Sequence, residues 1–133
     1  MNVGLLLITH NRLGTQLLQT AMSILGETPI NIAAIDVPGD CNPEEVLQQA
    51  TATCEQLDQG GGVLILTDLY GSTPSNIAAR LLDDHNVVII SGANVPMLIR
   101  ILNYPSCTLE ELGNRALTGA REGVVITASQ PVS

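Results

Sequence analysis

The chain contains no Trp, no Phe and no Lys. Its aromatics are Tyr70 and Tyr104 alone, so a core must come from Leu, Ile, Val and Ala, which suits helices layered on a parallel sheet. Five Arg stand against 13 Asp and Glu, for a formal net charge of -8. Nucleic acid and anionic membrane surfaces need clustered cations, so neither is an expected partner; a positive protein surface is. No apolar run reaches membrane-spanning length, so no direct membrane insertion is expected. The N-terminus lacks the basic region and cleavage site of a secretory signal. Cys41, Cys54 and Cys107 are odd in number and form no CxxC or zinc spacing, which suits reduced thiols in the cytoplasm. No cofactor is implied. No metal site is implied either, because only two His exist and nothing offers a second strong ligand near the first.

What the chain does have is an alternation of short apolar runs with helical patterns. Residues 3–8 read as a buried parallel strand. Leu13, Leu17, Leu18, Met22 and Leu25 then recur at helical spacing up to Gly26. Residues 30–37 are β-rich and break at Pro38-Gly39. Asn42-Pro43-Glu44-Glu45 opens a helix to about Leu57. Residues 63–67 and 87–90 read as strands, and 74–82 and 96–102 as helices. Thr108-Leu109-Glu110-Glu111 is a second capping box, opening a helix to about Arg121. Residues 123–127 read as a last short strand, able to pair anywhere, including on another subunit. The expected fold class is therefore α/β: a doubly wound, mostly parallel sheet flanked by helices. The expected division is one domain over residues 1–128 and a polar tail over 129–133.

His10 follows the first strand, and Asp68 follows the third. Open α/β sheets bind ligands in the crevice outside their strand carboxyl ends. After Asp68 comes Leu69-Tyr70-Gly71-Ser72-Thr73-Pro74, a turn into a helix. A histidine that accepts a phosphoryl group needs one nitrogen with a free lone pair and an acceptor on the other. The phosphoryl oxygens need donors, which a helix N-terminus supplies. His10, Asp68 and the amides and hydroxyls of Gly71, Ser72 and Thr73 fit those roles, with Pro74 at the first helical position. Each residue alone has a blander reading: His10 as a surface side chain, Asp68 as a turn residue, Thr73 as a plain helix cap. Their joint position at two strand ends is what carries the argument. His85, in Asp83-Asp84-His85-Asn86, reads as part of a solvated linker. Asn94 follows the fourth strand and could line the crevice, though Asn there is more often a turn or cap residue.

These segments resemble the mannose-type enzyme IIA family of the bacterial phosphoenolpyruvate-dependent sugar phosphotransferase system. Ile8-Thr9-His10 with its Leu-rich helix is similar to the phosphorylated-histidine motif. The stretch from Thr67 through Asp68-Leu69-Tyr70-Gly71-Ser72-Thr73-Pro74-Ser75 to Asn76 is similar to the family's Asp-Leu-aromatic-Gly-Gly-Ser-Pro-x-Asn. Ser91-Gly92-Ala93-Asn94-Val95-Pro96-Met97-Leu98 is similar to its Gly-x-Asn-Leu-Pro-Met-Leu. The resemblance implies that Nε2 of His10 takes phosphate from the phosphocarrier protein HPr and passes it to a IIB component, with Asp68 on the other nitrogen. It implies a homodimer that exchanges its last strand, and association with a membrane permease complex. Two departures stand out. Ser72 replaces the family's second Gly, adding a Cβ where a glycine conformation could be needed, and Thr73 replaces its Ser. No Ala/Pro-rich linker or IIB domain follows residues 123–127, so a free-standing IIA is expected. Such a chain could feed a transporter or could act as a regulatory protein that signals through its phosphorylatable histidine. A passive ligand-binding module, with no covalent phosphate, is the third alternative.

Overall fold

A computed structural model describes residues 2–130. Those residues form four strands and five helices, alternating until the last two helices: β1 (Gly4–His10), α1 (Leu13–Leu25), β2 (Ile32–Val37), α2 (Pro43–Leu57), β3 (Val63–Thr67), α3 (Thr73–Ala79), β4 (Val87–Ser91), α4 (Val95–Leu102) and α5 (Leu109–Glu122). The strands form one sheet in the order β2-β1-β3-β4, and every pairing is parallel. Side chains alternate across a strand, so one apolar run feeds two cores. Leu5, Leu7, Leu64 and Leu66 pack under α1, α4 and α5, against Ala21, Met97, Leu98 and Leu112. Leu6, Ile8 and Ile65 pack on the other face, against Val46, Ala50 and Cys54 of α2 and Ile77 of α3.

The chain leaves β1 outward to β2 and returns on the other side to β3. The strand order therefore reverses between β1 and β3, where doubly wound sheets open a ligand crevice. His10 is the last residue of β1 rather than the first beyond it, and Asp68 follows β3 directly. Both stand at that crevice.

Three expectations need correction. The third helix stops at Ala79, because Arg80, Leu81 and Leu82 donate to carbonyls three residues back, a tightening that ends an α-helix. His85 is not solvated: its side chain is 19% exposed, and its Nε2 lies 3.4 Å from Glu55 of α2. Residues 123–127 form no strand within this chain, since a lone segment without a neighbour cannot pair its backbone. Val124, Val125 and Ile126 are each about three-quarters exposed. The rest of the predicted tail, 131–133, lies outside the described residues.

The edge strand β4 borders a groove of about 820 Å³, lined by Val88, Ile90, Ala79, Leu82, Leu117 and Tyr70 among others. No helix among the described residues is long and apolar enough to cross a membrane.

Candidate functional site

The turn from β1 into α1 presents the His10 ring. Asn11 takes φ 49°, the one positive φ outside glycine among the described residues. Asn tolerates the left-handed region better than most side chains. Its N–H donates to the Val37 carbonyl at 2.9 Å, tying the turn to β2. From there the His10 side chain emerges 42% exposed.

Asp68 meets that ring from β3, with its own side chain only 10% exposed. Its Oδ2 accepts the His10 backbone N–H at 3.0 Å and lies 2.9 Å from His10 Nδ1. An ionised carboxylate can only accept, so Nδ1 carries the proton and the neutral ring keeps its lone pair on Nε2. Asp68 Oδ1 is buried with no hydrogen-bond partner among the described residues. A carboxylate so poorly solvated gains most when the neighbouring ring turns positive.

The turn after Asp68 decides which donors are open. Gly71 has φ 81°, a conformation that favours glycine, whereas Ser72 has φ -84° and needs none. The Cβ of Ser72 therefore costs the turn nothing. Ser72, not Thr73, occupies the cap position of α3, and Pro74 is second in the helix rather than first. The Ser72 hydroxyl donates back to the Leu69 carbonyl. The Gly71 N–H donates to Ser75 Oγ at 3.2 Å, and the Ser72 N–H to the Leu69 carbonyl at 3.3 Å. Among the described residues, no acceptor meets the amides of Thr73 and Ser75 or the Thr73 hydroxyl. Those groups sit at the positive end of α3, on the same rim as His10.

Asn94 uses both ends of its amide inside the fold. Its Oδ1 accepts the Met97 N–H at 2.9 Å, and its Nδ2 donates to the Ala120 carbonyl at 3.2 Å. It caps α4 and ties it to α5. Two groups that shape the site were not singled out in the sequence. Asn11 carries the strained turn, and Ser75 holds the Gly71 amide. Both have a faint signal: a small polar residue beside a functional one, able to bond backbone. After Asp68, Leu69 is 62% and Tyr70 86% exposed, an unusual display of apolar surface. Among the described residues no three His, Cys, Asp or Glu side chains gather as a metal site.

Residues 4–114 match the family described as the fructose IIA component of the phosphotransferase system. The chain belongs to that family. A mannose-specific EIIAB component of the phosphotransferase system from Escherichia coli K12 is 37% identical over 138 residues, covering 99% of this chain and 42% of its own length. The chain thus spans less than half of that relative. The transcriptional regulatory protein LevR of Bacillus subtilis is 31% identical over 116 residues, which cover 83% of this chain and 12% of LevR. Among solved structures, the mannose/sorbose-specific IIA subunit from Enterococcus faecalis superposes with a TM-score of 0.87 over the whole of both chains, at 21% identity. That likeness shows the fold. This IIA chain and the Enterococcus subunit share their α/β architecture.

Proposed function

We propose that this IIA chain is a phosphocarrier that takes a phosphoryl group from HPr on His10 and hands it to a IIB component during sugar uptake. The observation that carries the proposal is the asymmetry of the His10 ring. Nδ1 is bound to a carboxylate that is nine-tenths buried, while the side chain as a whole stays open to a partner. In the transfer, the Nε2 lone pair attacks phosphorus and a new N–P bond forms. The N–P bond to the donor histidine breaks, and its electron pair stays on the donor nitrogen. Asp68 holds the Nδ1 proton and offsets the positive charge that grows on the ring. The Thr73 and Ser75 amides and the Thr73 hydroxyl are the open donors for the phosphoryl oxygens; Gly71 and Ser72 shape the turn that presents them. The exposed Leu69 and Tyr70 supply apolar contact for the protein partners. The reading puts the protein in the cytoplasm, in contact with a membrane permease complex through its IIB partner.

The proposal extends to a homodimer. The apolar segment Val124-Val125-Ile126 is exposed, and among the described residues no strand covers the outer edge of β4 beside the apolar groove. Exchange of that segment between two copies would cover both edges with closed two-fold symmetry. Deleting the chain from Gly123 onward should then give monomers or aggregates, whereas deleting residues 130–133 should leave a dimer by light scattering. A folded dimer after the longer deletion would move the interface elsewhere.

The likeness to LevR supports a second reading, in which the same phosphohistidine signals through protein contacts without feeding a transporter. Both readings require the phosphoryl group on His10. Intact mass after incubation with phosphoenolpyruvate, enzyme I and HPr tests them jointly, against a passive ligand-binding module. The expected result is one acid-labile phosphoryl group; no mass gain would end both readings. Transfer onward to a IIB component then separates carrier from signal.

A further inference from the structure

We infer that Thr9 is a positioning residue that holds the His10 ring in register with Asp68. Thr9 is fully buried although its hydroxyl is polar. A buried hydroxyl needs a partner, and this one accepts the Gly14 N–H at 2.7 Å. The bond spans the whole turn that presents His10. Arg12 occupies the cap position of α1 but makes no side-chain cap bond. The hydroxyl of a strand residue therefore satisfies one of the orphan amides of the helix. Gly14 makes the approach possible, since a Cβ there would stand 2.9 Å from Thr9 Oγ1 and 3.1 Å from the Leu7 Cβ.

Between these two anchors the backbone is tied at two points, the His10 N–H to Asp68 and the Asn11 N–H to Val37. Asn11 sits in the left-handed region. Among the described residues the ring is hydrogen-bonded by Asp68 alone, through the 2.9 Å contact at Nδ1. Two hydrogen bonds to a single oxygen, Oδ2, must form together, one from the His10 backbone and one from its ring. A small rotation of the turn would break the second before the first. Thr9 fixes the turn on the strand side and Gly14 on the helix side, so the ring has one orientation in which Nδ1 meets the carboxylate and Nε2 stays free. The inference rests on the phosphoryl reading for its consequence, not for its geometry.

Long-range proton–nitrogen NMR spectra of the His10 ring in the unphosphorylated full chain test it. The wild-type protein should hold the Nδ1–H tautomer. Thr9→Val, which keeps the shape and loses the acceptor, should shift the ring toward the Nε2–H tautomer. Thr9→Ala should do the same without added bulk, and Thr9→Ser should restore the wild-type spectrum. Phosphorylation should slow by about tenfold to a hundredfold in Thr9→Val and Thr9→Ala, as for a misplaced reacting group. Thr108→Ala removes the cap of α5 and should leave the His10 tautomer unchanged. A wild-type tautomer in folded Thr9→Val and Thr9→Ala would overturn the inference. So would an equal shift in Thr108→Ala, which would reduce Thr9 to general stability. A tautomer shift in a protein that takes no phosphate would instead support Thr9 and remove the phosphoryl reading.

Discussion

The two histidines stand at opposite ends of the sheet, each within reach of a carboxylate, and differ in which nitrogen is left free. His10 ends β1; His85 precedes β4. His10 gives Nδ1 to a buried carboxylate 2.9 Å away and keeps an open face. His85 has Nε2 at 3.4 Å from Glu55, a carboxylate 63% exposed, and its Nδ1 is buried with no partner among the described residues. At one pole the protein has buried the orienting carboxylate and exposed the ring. At the other it has half-buried the ring and exposed the carboxylate. A contact with an exposed carboxylate at that distance is worth little, and the buried Nδ1 has no room for a phosphoryl group. The pairing of His with an acid is thus not the signal. Its burial order is.

Removing each ring in turn separates the two poles most strongly. His10→Ala should abolish phosphorylation, read as intact mass after incubation with phosphoenolpyruvate, enzyme I and HPr. His85→Ala should leave the mass gain intact and act only on stability, through the space it opens against α2. Phosphate surviving in His10→Ala, or lost in His85→Ala, would reverse the assignment of the two poles.

The carboxylates are the next level. Asp68→Asn should keep the fold and slow transfer by about tenfold to a thousandfold, the range for losing a preorganised electrostatic partner. The amide oxygen can still accept from Nδ1, but it cannot balance a positive ring. Glu55→Gln should leave the rate unchanged. Rapid-quench phosphorylation of both variants gives the two numbers, and a wild-type rate in Asp68→Asn would take the carboxylate out of the mechanism.

Much of the site could be read before the fold was known, for a physical reason. Apolar runs ended by a polar residue mark the carboxyl ends of buried strands, so His10 and Asp68 had to share a rim. Caps and stop residues located the helices because capping chemistry is local: Asn42 accepts the Glu44 N–H and Thr108 the Glu111 N–H. What escaped depends on distance or on dihedrals. Asp83-Asp84-His85-Asn86 looks solvated by composition, yet the ring is half-buried beside α2, where it meets a carboxylate thirty residues back in sequence. The left-handed turn at Asn11 leaves only the faint signal of a small polar residue beside His10. The turn after Asp68 could be located but not phased, so Ser72 rather than Thr73 takes the cap, and Gly71 rather than the next residue takes the left-handed φ. The segment 123–127 has the pattern of a strand, but pattern does not say which chain supplies the edge.

The Thr73 hydroxyl separates phosphate binding from helix capping. As a cap, Thr73 would cost about 1 kcal/mol of stability on conversion to Ala. In the structure it stands one residue inside α3, and its hydroxyl has no partner among the described residues. Thr73→Ala should therefore change stability by less than about 0.5 kcal/mol in urea unfolding, as for a surface substitution. Its loss should appear in the reaction instead. One hydrogen bond to a phosphoryl oxygen has a net worth of about 0.5–1.5 kcal/mol, which is roughly twofold to tenfold in rate. Thr73→Ser keeps the hydroxyl and should transfer at close to the wild-type rate. Equal rates in Thr73→Ser and Thr73→Ala would leave the Thr73 and Ser75 amides as the whole of the phosphate contact. Equal loss of stability and rate in Thr73→Ala would return the hydroxyl to a structural role.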